Sequence, residues 1–232
     1  MSSHTLKRYD KELDKLKEQV EHMGEHVALH MGMLLKGIED LPGDSKFDEV
    51  IESDITINGM EVKASKTVLK LLARQQPVGR DLRMIIASSR VVTELERIGD
   101  EVVTIARTLK ESHQHSPCTD GGVTVSTASL LASGINLLER ALLALHNDDV
   151  ETARDMMNRH VAHEGTYYQD ADQLIECIKQ NHESIEESFS AALQANSLKR
   201  ICDHIHNICE HTIFLIEGED VRHPEIQDED ED

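Results

Sequence analysis

The chain has 232 residues, a formal net charge of −20 at pH 7, and only 3% aromatic residues with no tryptophan. This excess of negative charge argues against nucleic acid as a partner, because nucleic acid phosphates require clustered lysine and arginine. Cations or basic protein surfaces suit the charge better. The low aromatic content, with twelve glycines and four prolines, favours long helices packed through Leu, Ile and Val over an aromatic-rich β-sandwich. We therefore expect an all-α protein.

The sequence also predicts a cytoplasmic location. The opening "MSSHTLKRYDKELDKLKEQ" has no apolar core of a secretory signal. The four cysteines form no C-x-x-C pair, as in proteins of a reducing compartment. No uncharged apolar run approaches the roughly 20 residues needed to cross a bilayer. Any membrane contact is therefore expected to be peripheral and to occur through partners.

Three helices are predicted in the first half. From Leu6 to about Asp40, apolar residues recur at steps of three and four, which is typical of one buried helix face. Pro42 and Gly43 then end the pattern, and a second helix is expected from Asp48 to Gln75. Pro77 favours the start of a third helix with a heptad-spaced apolar stripe.

The second half repeats this layout after a linker. Pro117 and the pair Gly121-Gly122 mark the linker. Further helices are expected near residues 123–146, 148–181 and 184–217. The predicted units are therefore a first repeat at 1–116, a second repeat at 123–218 and a tail at 219–232. The tail is expected to be disordered because its closely spaced carboxylates repel one another.

A short motif occurs once in each half. The stretch "LERIGD" begins at Leu95, and "LKRICD" begins 103 residues later at Leu198. Long antiparallel helices share such steps by chance, but here the surrounding helix layout matches as well. The sequence thus predicts two tandem three-helix bundles related by pseudo-twofold symmetry. Arg97 and Arg200 follow the first position of the motif, and each is expected to pair with a carboxylate on a neighbouring helix.

A first candidate metal site combines two helices. Glu96 and Asp100 are four residues apart and share the outward face of the third helix. Asp54, Asn58 and Glu61 share one face of the second helix. If the two helices are antiparallel neighbours, these oxygen donors could meet and hold a cation. Ordinary solvated surface charge explains the same pattern, since exposure is the default for carboxylates.

A second candidate site is expected in the second half. His160 and Glu164 occupy the corresponding positions, and Tyr167 replaces the equivalent of Glu61. All three are expected to face Asp203, and Asn207 could join them. An imidazole ligand favours iron or zinc over magnesium.

Other candidate ligands have simpler explanations. His22, His26 and His30 follow one another at steps of four and could hold zinc. His30, however, falls on the apolar seam of the first helix, which fits a partly buried, hydrogen-bonded ring. Cys202 and Cys209 are expected to be packing residues, because seven helical residues rise about 10 Å, too far for a disulfide. No catalytic Ser-His-Asp or Cys-His arrangement is evident, so we do not expect an enzyme.

Three segments resemble the PhoU family: "VIESDITINGMEV", "LLARQQPVGRDLRMIIASSRVVTELERIGDEVVTIAR" and "SLKRICDHIHNICEHTIFLIEGEDVRH". The resemblance extends over nearly the whole chain. It implies two symmetric three-helix bundles, each with an E(D)-x-x-x-D metal-binding motif on its surface. The motif is intact as Glu96 and Asp100. In the second half Lys199 replaces the first acidic residue and only Asp203 is kept. The Lys199 ammonium group could weaken, alter or abolish that site, and His160, His204 and His206 could compensate for it.

The resemblance also implies a function. It points to a negative regulator of the phosphate-starvation regulon and of phosphate uptake, acting by contact with the ATPase of the high-affinity phosphate ABC transporter and with the sensor kinase PhoR. A homodimer and bound iron or zinc are implied as well, with manganese or magnesium as further options. Two alternatives are a metal-free helical adaptor and a metal-dependent phosphoesterase.

Overall fold

A computed structural model describes residues 3–40, 44–112, 127–163, 176 and 185–221. Within these ranges the chain forms six helices and no strand: α1 (Ser3–Glu39), α2 (Asp44–Gln75), α3 (Gly79–Ser112), α4 (Thr127–His146), α5 (Val150–His163) and α6 (Ile185–Glu217). The all-α prediction is confirmed. The division between the predicted repeats falls outside the described residues and stays a prediction, as does most of the acidic tail.

Local sequence signals explain where α2 and α3 meet. Gln76 adopts a φ of 48° and Gly79 a φ of 56°, so the chain leaves the right-handed helical region on both sides of Pro77. Glycine takes such angles without a Cβ clash, and proline lacks the N–H needed to continue a helix. The short turn makes α2 and α3 antiparallel neighbours, as the first candidate site requires.

The break expected between the helices near residues 123–146 and 148–181 is also confirmed, at Asn147-Asp148. Asp148 has a φ of 52°, and α5 begins two residues later. Asp149 caps α5: its Oδ1 accepts a hydrogen bond from the Thr152 backbone N–H at 3.0 Å, and its Oδ2 accepts one from the Thr152 hydroxyl at 2.7 Å. These bonds lower the pKa of Asp149. Consequently α4 and α5 are joined by a tight, well-capped turn.

The two halves share one core. α3 of the first half packs against α6 of the second half along most of its length, and α1 of the first half contacts α4 of the second. The heptad stripe predicted for α3 is buried in this interface together with a matching stripe of α6, as shown by Ile98, Val102, Ile105, Ile201, Ile205 and Ile208. Because apolar residues from both halves form a single cluster, hydrophobic burial couples the stability of one half to that of the other.

α4 is unusually apolar. It is the one described helix that is long and apolar enough, by composition, to cross a membrane. Leu131, Leu138 and Ala141 are fully buried inside the protein, so one face of α4 belongs to the core. Leu143 on another face is exposed, which leaves part of this apolar surface uncovered.

Candidate metal-binding face

The first candidate site lies where α2 packs against α3. Asp54 is buried, Glu61 on the same helix is half-buried and Asn58 is exposed. On α3, Glu96 is half-buried and Asp100 is exposed. The face predicted from residue spacing therefore exists, with Asp54 as its most buried member.

The carboxylates of the two helices lie close enough to repel one another. The pKa of Glu96 is raised, first by burial and then by the negative charges of Asp100, Glu61 and Asp54. Burial and the charge of Asp54 also raise the pKa of Asp100. Carboxylates whose pKa is raised by neighbouring negative charges are stabilised by a nearby cation.

The Asp54 carboxylate has one oxygen without a partner. Its Oδ2 accepts a hydrogen bond from the Asn58 side-chain amide at 2.8 Å. Its Oδ1 is buried and has no hydrogen-bond partner. This oxygen lies 3.2 Å from the position that a Cβ at Gly99 would occupy, so it sits directly against the α3 backbone. A buried carboxylate oxygen without a donor is unfavourable, and a cation would satisfy it.

The predicted ligands are not gathered into a cage, and Glu61 is already hydrogen-bonded. Ser65 donates a hydrogen bond to Glu61 Oε1 at 3.2 Å. Among the described residues, no group of three or more His, Cys, Asp or Glu side chains is already gathered closely enough to hold a metal ion. The structure thus brings the acidic residues into electrostatic range of one another but not into a preformed cage.

The second candidate site is described only in part. Asp203 is exposed on α6. His160 belongs to α5, but its side chain, like Glu164 and Tyr167, lies outside the described residues. The predicted gathering of these residues, and the effect of Lys199 on it, stay predictions.

The histidine ladder of α1 is not a single cluster. The His22 and His26 rings lie 4.6 Å apart at a tilt of 58°. His30 is buried, and its Nε2–H donates a hydrogen bond to the Val50 carbonyl at 2.8 Å. Burial lowers the pKa of His30, which favours the neutral ring. The expectation of a buried, hydrogen-bonded His30 is confirmed.

A buried polar network joins α3 to α6, and it was not predicted from the sequence. Glu94 accepts hydrogen bonds from His204 Nδ1–H at 2.7 Å and from the Asn207 amide at 3.1 Å. His211 Nε2 lies 3.9 Å from the second oxygen. Burial favours a higher pKa for Glu94, but the hydrogen bonds from His204 and Asn207, together with the nearby His211 ring, outweigh it and hold the pKa well below its usual range. The available signal was that Glu94 is next to the heptad seam, where charges pair between helices.

The two motif arginines behave differently. Arg200 forms an ion pair with the buried Glu101 at 2.8 Å, which confirms the predicted pairing. Arg97 is exposed; it opposes the rise in the pKa of Glu96, but it forms no ion pair with a described residue. Only one copy of the motif therefore uses its arginine to link α3 and α6.

Comparisons with known proteins agree with the fold. The family described as the PhoU domain matches residues 20–109 and 129–212, one segment in each half. The chain is 30% identical over 225 residues to the phosphate-specific transport system accessory protein PhoU of Serratia marcescens, covering 96% of this chain and 90% of that one. The protein of the same name from Escherichia coli (strain K12) is also 30% identical, with 96% and 91% covered.

Solved structures give the same result. The crystal structure of PhoU from Pseudomonas aeruginosa superposes with a TM-score of 0.78 at 27% identity, covering 91% of this chain and 100% of that chain. The phosphate transport system regulatory protein PhoU from Streptococcus pneumoniae also has a TM-score of 0.78, at 23% identity, with 92% and 99% covered. The latter likeness supports the fold alone.

Proposed function

The chain belongs to the PhoU family, and on that premise we propose that it is a cytoplasmic, non-enzymatic regulator of phosphate uptake. It represses the phosphate-starvation regulon when phosphate is plentiful. It does so by contact, linking the ATPase of the high-affinity phosphate ABC transporter to a PhoR-type sensor kinase. The observation that carries this proposal is the family match in both halves of the chain, together with relatives that are named accessory proteins of phosphate transport.

The experiment for this role is deletion of the gene in its host, followed by measurement of a phosphate-starvation reporter in high phosphate. Deletion should leave the reporter expressed, and the wild-type gene supplied in trans should restore repression. The matched control is the same strain in low phosphate, where both genotypes should express the reporter. Normal repression in the deletion strain at high phosphate would contradict the proposal.

We propose that a metal ion belongs to the α2–α3 face. The unpartnered, buried Oδ1 of Asp54 supports this, as does the mutual repulsion of Asp54, Glu96 and Asp100. These residues, with Asn58 and Glu61, would hold the ion. Iron or zinc is expected, and oxygen donors also suit manganese or magnesium. A bound cation would neutralise the acidic face and hold α2 against α3.

Metal content measured on purified protein tests this site. Wild-type protein should retain metal through desalting, and Glu96→Ala should lose much of it. Asp203→Ala reports on the second site, which His160 and Glu164 would complete. If this variant keeps the wild-type content while Glu96→Ala loses all of it, only the first half binds metal. Equal, negligible content in all three proteins would contradict metal binding.

A second candidate is the same regulator acting without metal. The absence of a preformed ligand group among the described residues favours this version. It predicts that a strong chelator leaves both the melting temperature and repression in the host unchanged. The metal-dependent version predicts a lower melting temperature after chelation, because an ion bound to the folded state stabilises it by mass action.

We also propose that the protein forms a homodimer through α2. Ile55, Val62 and Leu69 lie seven residues apart, and their exposed fractions are 77%, 47% and 66%. The exposed face carries Glu49 and Glu52 toward one end of the helix, and Lys63 and Lys66 toward the other. Two α2 helices packed antiparallel about a twofold axis would cover the stripe, placing acidic ends near basic ends.

Sedimentation velocity tests this interface. Val62→Glu should shift the protein to monomer, because it places two like charges together at the twofold axis. Leu143→Glu is the control, since it adds the same charge at an exposed leucine of α4. A dimer that survives Val62→Glu would contradict this arrangement.

A further inference from the structure

A groove of about 1050 Å³ runs along α1, and its other walls are formed by the C-terminal half of α4 and the N-terminal part of α3. Two leucines are prominent in its lining: Leu29 is 64% exposed and Leu143 is 60% exposed. Met33 lies beside Leu29 on α1 and is also exposed. Exposed apolar side chains that line one groove form a continuous apolar floor, which is typical of a binding surface. Apolar side chains scattered singly over a surface do not have this meaning.

Two glycines of α1 shape this groove. At Gly24 a Cβ would lie 2.7 Å from Leu142 Cδ1, so the lack of a side chain lets α4 approach α1 there. At Gly32, about two turns further along, a Cβ would meet nothing within 4 Å. α1 and α4 are thus in tight contact near Gly24, and the groove is open near Gly32.

The rim of the groove carries seven carboxylates, and three of them are engaged within the groove. The engaged pairs are Asp81 with the Tyr9 hydroxyl at 3.0 Å, Asp148 with Arg80 at 2.6 Å, and Glu21 with His146 at 2.7 Å. These contacts use the arginine and the histidine of the rim. They leave its other acidic groups to face solvent.

The remaining four carboxylates make the rim negatively charged. Asp10, Asp14, Glu25 and Glu139 form no hydrogen bond or ion pair with any residue that the structure describes, and only Lys17 and Lys36 oppose them. Carboxylates above an apolar floor complement a ligand with basic edges and an apolar face. The groove therefore differs from the candidate metal-binding face, where one carboxylate oxygen, Asp54 Oδ1, is buried without a partner.

We propose that this groove binds a basic amphipathic helix of a protein partner. From Asp10 to Lys36 the groove side of α1 is roughly 39 Å long at 1.5 Å per residue, enough for a helix of about 20 residues. Such a helix would place leucine-like residues against Leu29 and Leu143 and its lysines or arginines against the rim. A second copy of this chain, with a net charge of −20, would meet the rim with like charge. The inference rests on the proposed function in one respect, namely that the partner is one of the regulatory partners.

Binding of a designed peptide to the full chain tests the groove directly. The probe is a fluorescent 21-residue helix built from Leu and Lys with one apolar face, and the comparison probe has Glu in place of Lys. Fluorescence anisotropy at 0.15 M salt should show binding of the Lys peptide only. Gly32→Gln fills open space on the groove and should weaken binding at least tenfold. Ser133→Gln is the control, because it places the same side chain at an exposed position of α4 that lines neither the groove nor the proposed dimer interface.

A second pair of variants separates the groove from the general charge of the protein. Glu25→Gln with Glu139→Gln should weaken peptide binding at least tenfold. Glu111→Gln with Glu151→Gln removes the same charge from exposed positions of α3 and α5 outside the groove and should change binding less than twofold. Equal weakening by the two double variants would overturn the proposal, since it would mean that the peptide senses only net charge. So would a wild-type dimer that Gly32→Gln converts to monomer, because the occupant would then be a second copy.

Expression of the starvation reporter in the host tests whether the regulatory partner uses this groove. A strain carrying Gly32→Gln should express the starvation reporter in high phosphate, whereas the Ser133→Gln strain should repress it. If deletion of the gene derepresses the reporter but Gly32→Gln does not, the groove inference is overturned and the proposed function stands. If deletion itself has no effect, the proposed function fails, and the peptide assay still decides whether the groove binds a basic helix.

Discussion

The His204 imidazole donates a hydrogen bond of 2.7 Å to the Glu94 carboxylate, and both side chains are buried between α3 and α6. These helices carry the two copies of the repeated motif, and they form the centre of the shared core. A buried ionised carboxylate is strongly unfavourable unless it is hydrogen-bonded. The pair therefore fixes the register in which the two halves meet.

Replacement of Glu94 by glutamine should lower the free energy of unfolding by about 2–4 kcal/mol. The amide keeps the size of the side chain but loses the charge that strengthens the bonds from His204 and Asn207. Urea denaturation measures the loss. The control is Asp155→Asn, since Asp155 lies 3.7 Å from Arg140 on the exposed surface; there the change should be below about 1 kcal/mol. Equal effects of the two variants would show that the Glu94 network adds nothing beyond a surface pair.

The same network predicts a defined pH dependence. The pKa of Glu94 is lower in the folded protein than its usual value of 4.5, so the unfolded chain binds the proton more readily. The stabilisation is therefore complete above about pH 4.5 and is lost as the pH falls further. The stability difference between wild type and Glu94→Gln should shrink between pH 5 and pH 3. Urea titrations of both proteins across this range measure it, and a constant difference would contradict the assignment.

Some features of the fold could be predicted from the sequence and others could not, and the physical reasons differ. Helix ends at Pro77 and Asp148 depend on a few neighbouring residues, so the sequence predicts them well. The buried stripe that includes Ile98 and Ile201 follows from a heptad period, which is also local. The Glu94 network depends on how α3 slides along α6, and a one-residue change in register would separate Glu94 from His204. Spacing alone likewise placed Asp54 on the right face but could not show that its Oδ1 is buried without a donor.

The two described cysteines should be unreactive while the protein is folded. Both are buried, and burial raises the pKa of Cys202 and of Cys209 to about 12. Only the thiolate reacts with iodoacetamide. In a variant with Cys118→Ser and Cys177→Ser, labelling at pH 8 should be at least about 1000-fold slower than in urea, because it requires local or global opening. Mass spectrometry follows the reaction, and labelling within minutes under native conditions would contradict the buried placement.

Gly99 and Gly59 form a matched pair for testing the packing of α2 against α3. At Gly59 a Cβ meets nothing within 4 Å, so Gly59→Ala should raise the free energy of unfolding by about 0.5–1 kcal/mol through helix propensity. At Gly99 a Cβ would lie 3.2 Å from Asp54 Oδ1 and 3.3 Å from Ile57 Cδ1. Gly99→Ala should therefore show no gain or a loss of about 1–2 kcal/mol, because the neighbours must move. Chemical denaturation of both variants tests the difference, and equal stabilisation would mean that α2 and α3 are not packed closely here.

Neutralising Glu96 should have opposite effects with and without metal. In metal-free protein, Glu96→Gln removes repulsion with Asp100 four residues away, and the free energy of unfolding should rise by a few tenths of a kcal/mol. With metal added at about 100 times its dissociation constant, wild type should gain about 2.7 kcal/mol by mass action. The variant should gain much less, because a ligand has been lost. Thermal melts with and without added zinc or iron give both quantities, and Glu49→Gln on the exposed face of α2 is the control. If wild type and Glu96→Gln gain equally from metal, the ion binds elsewhere, and the acidic face of α2 and α3 is not its site.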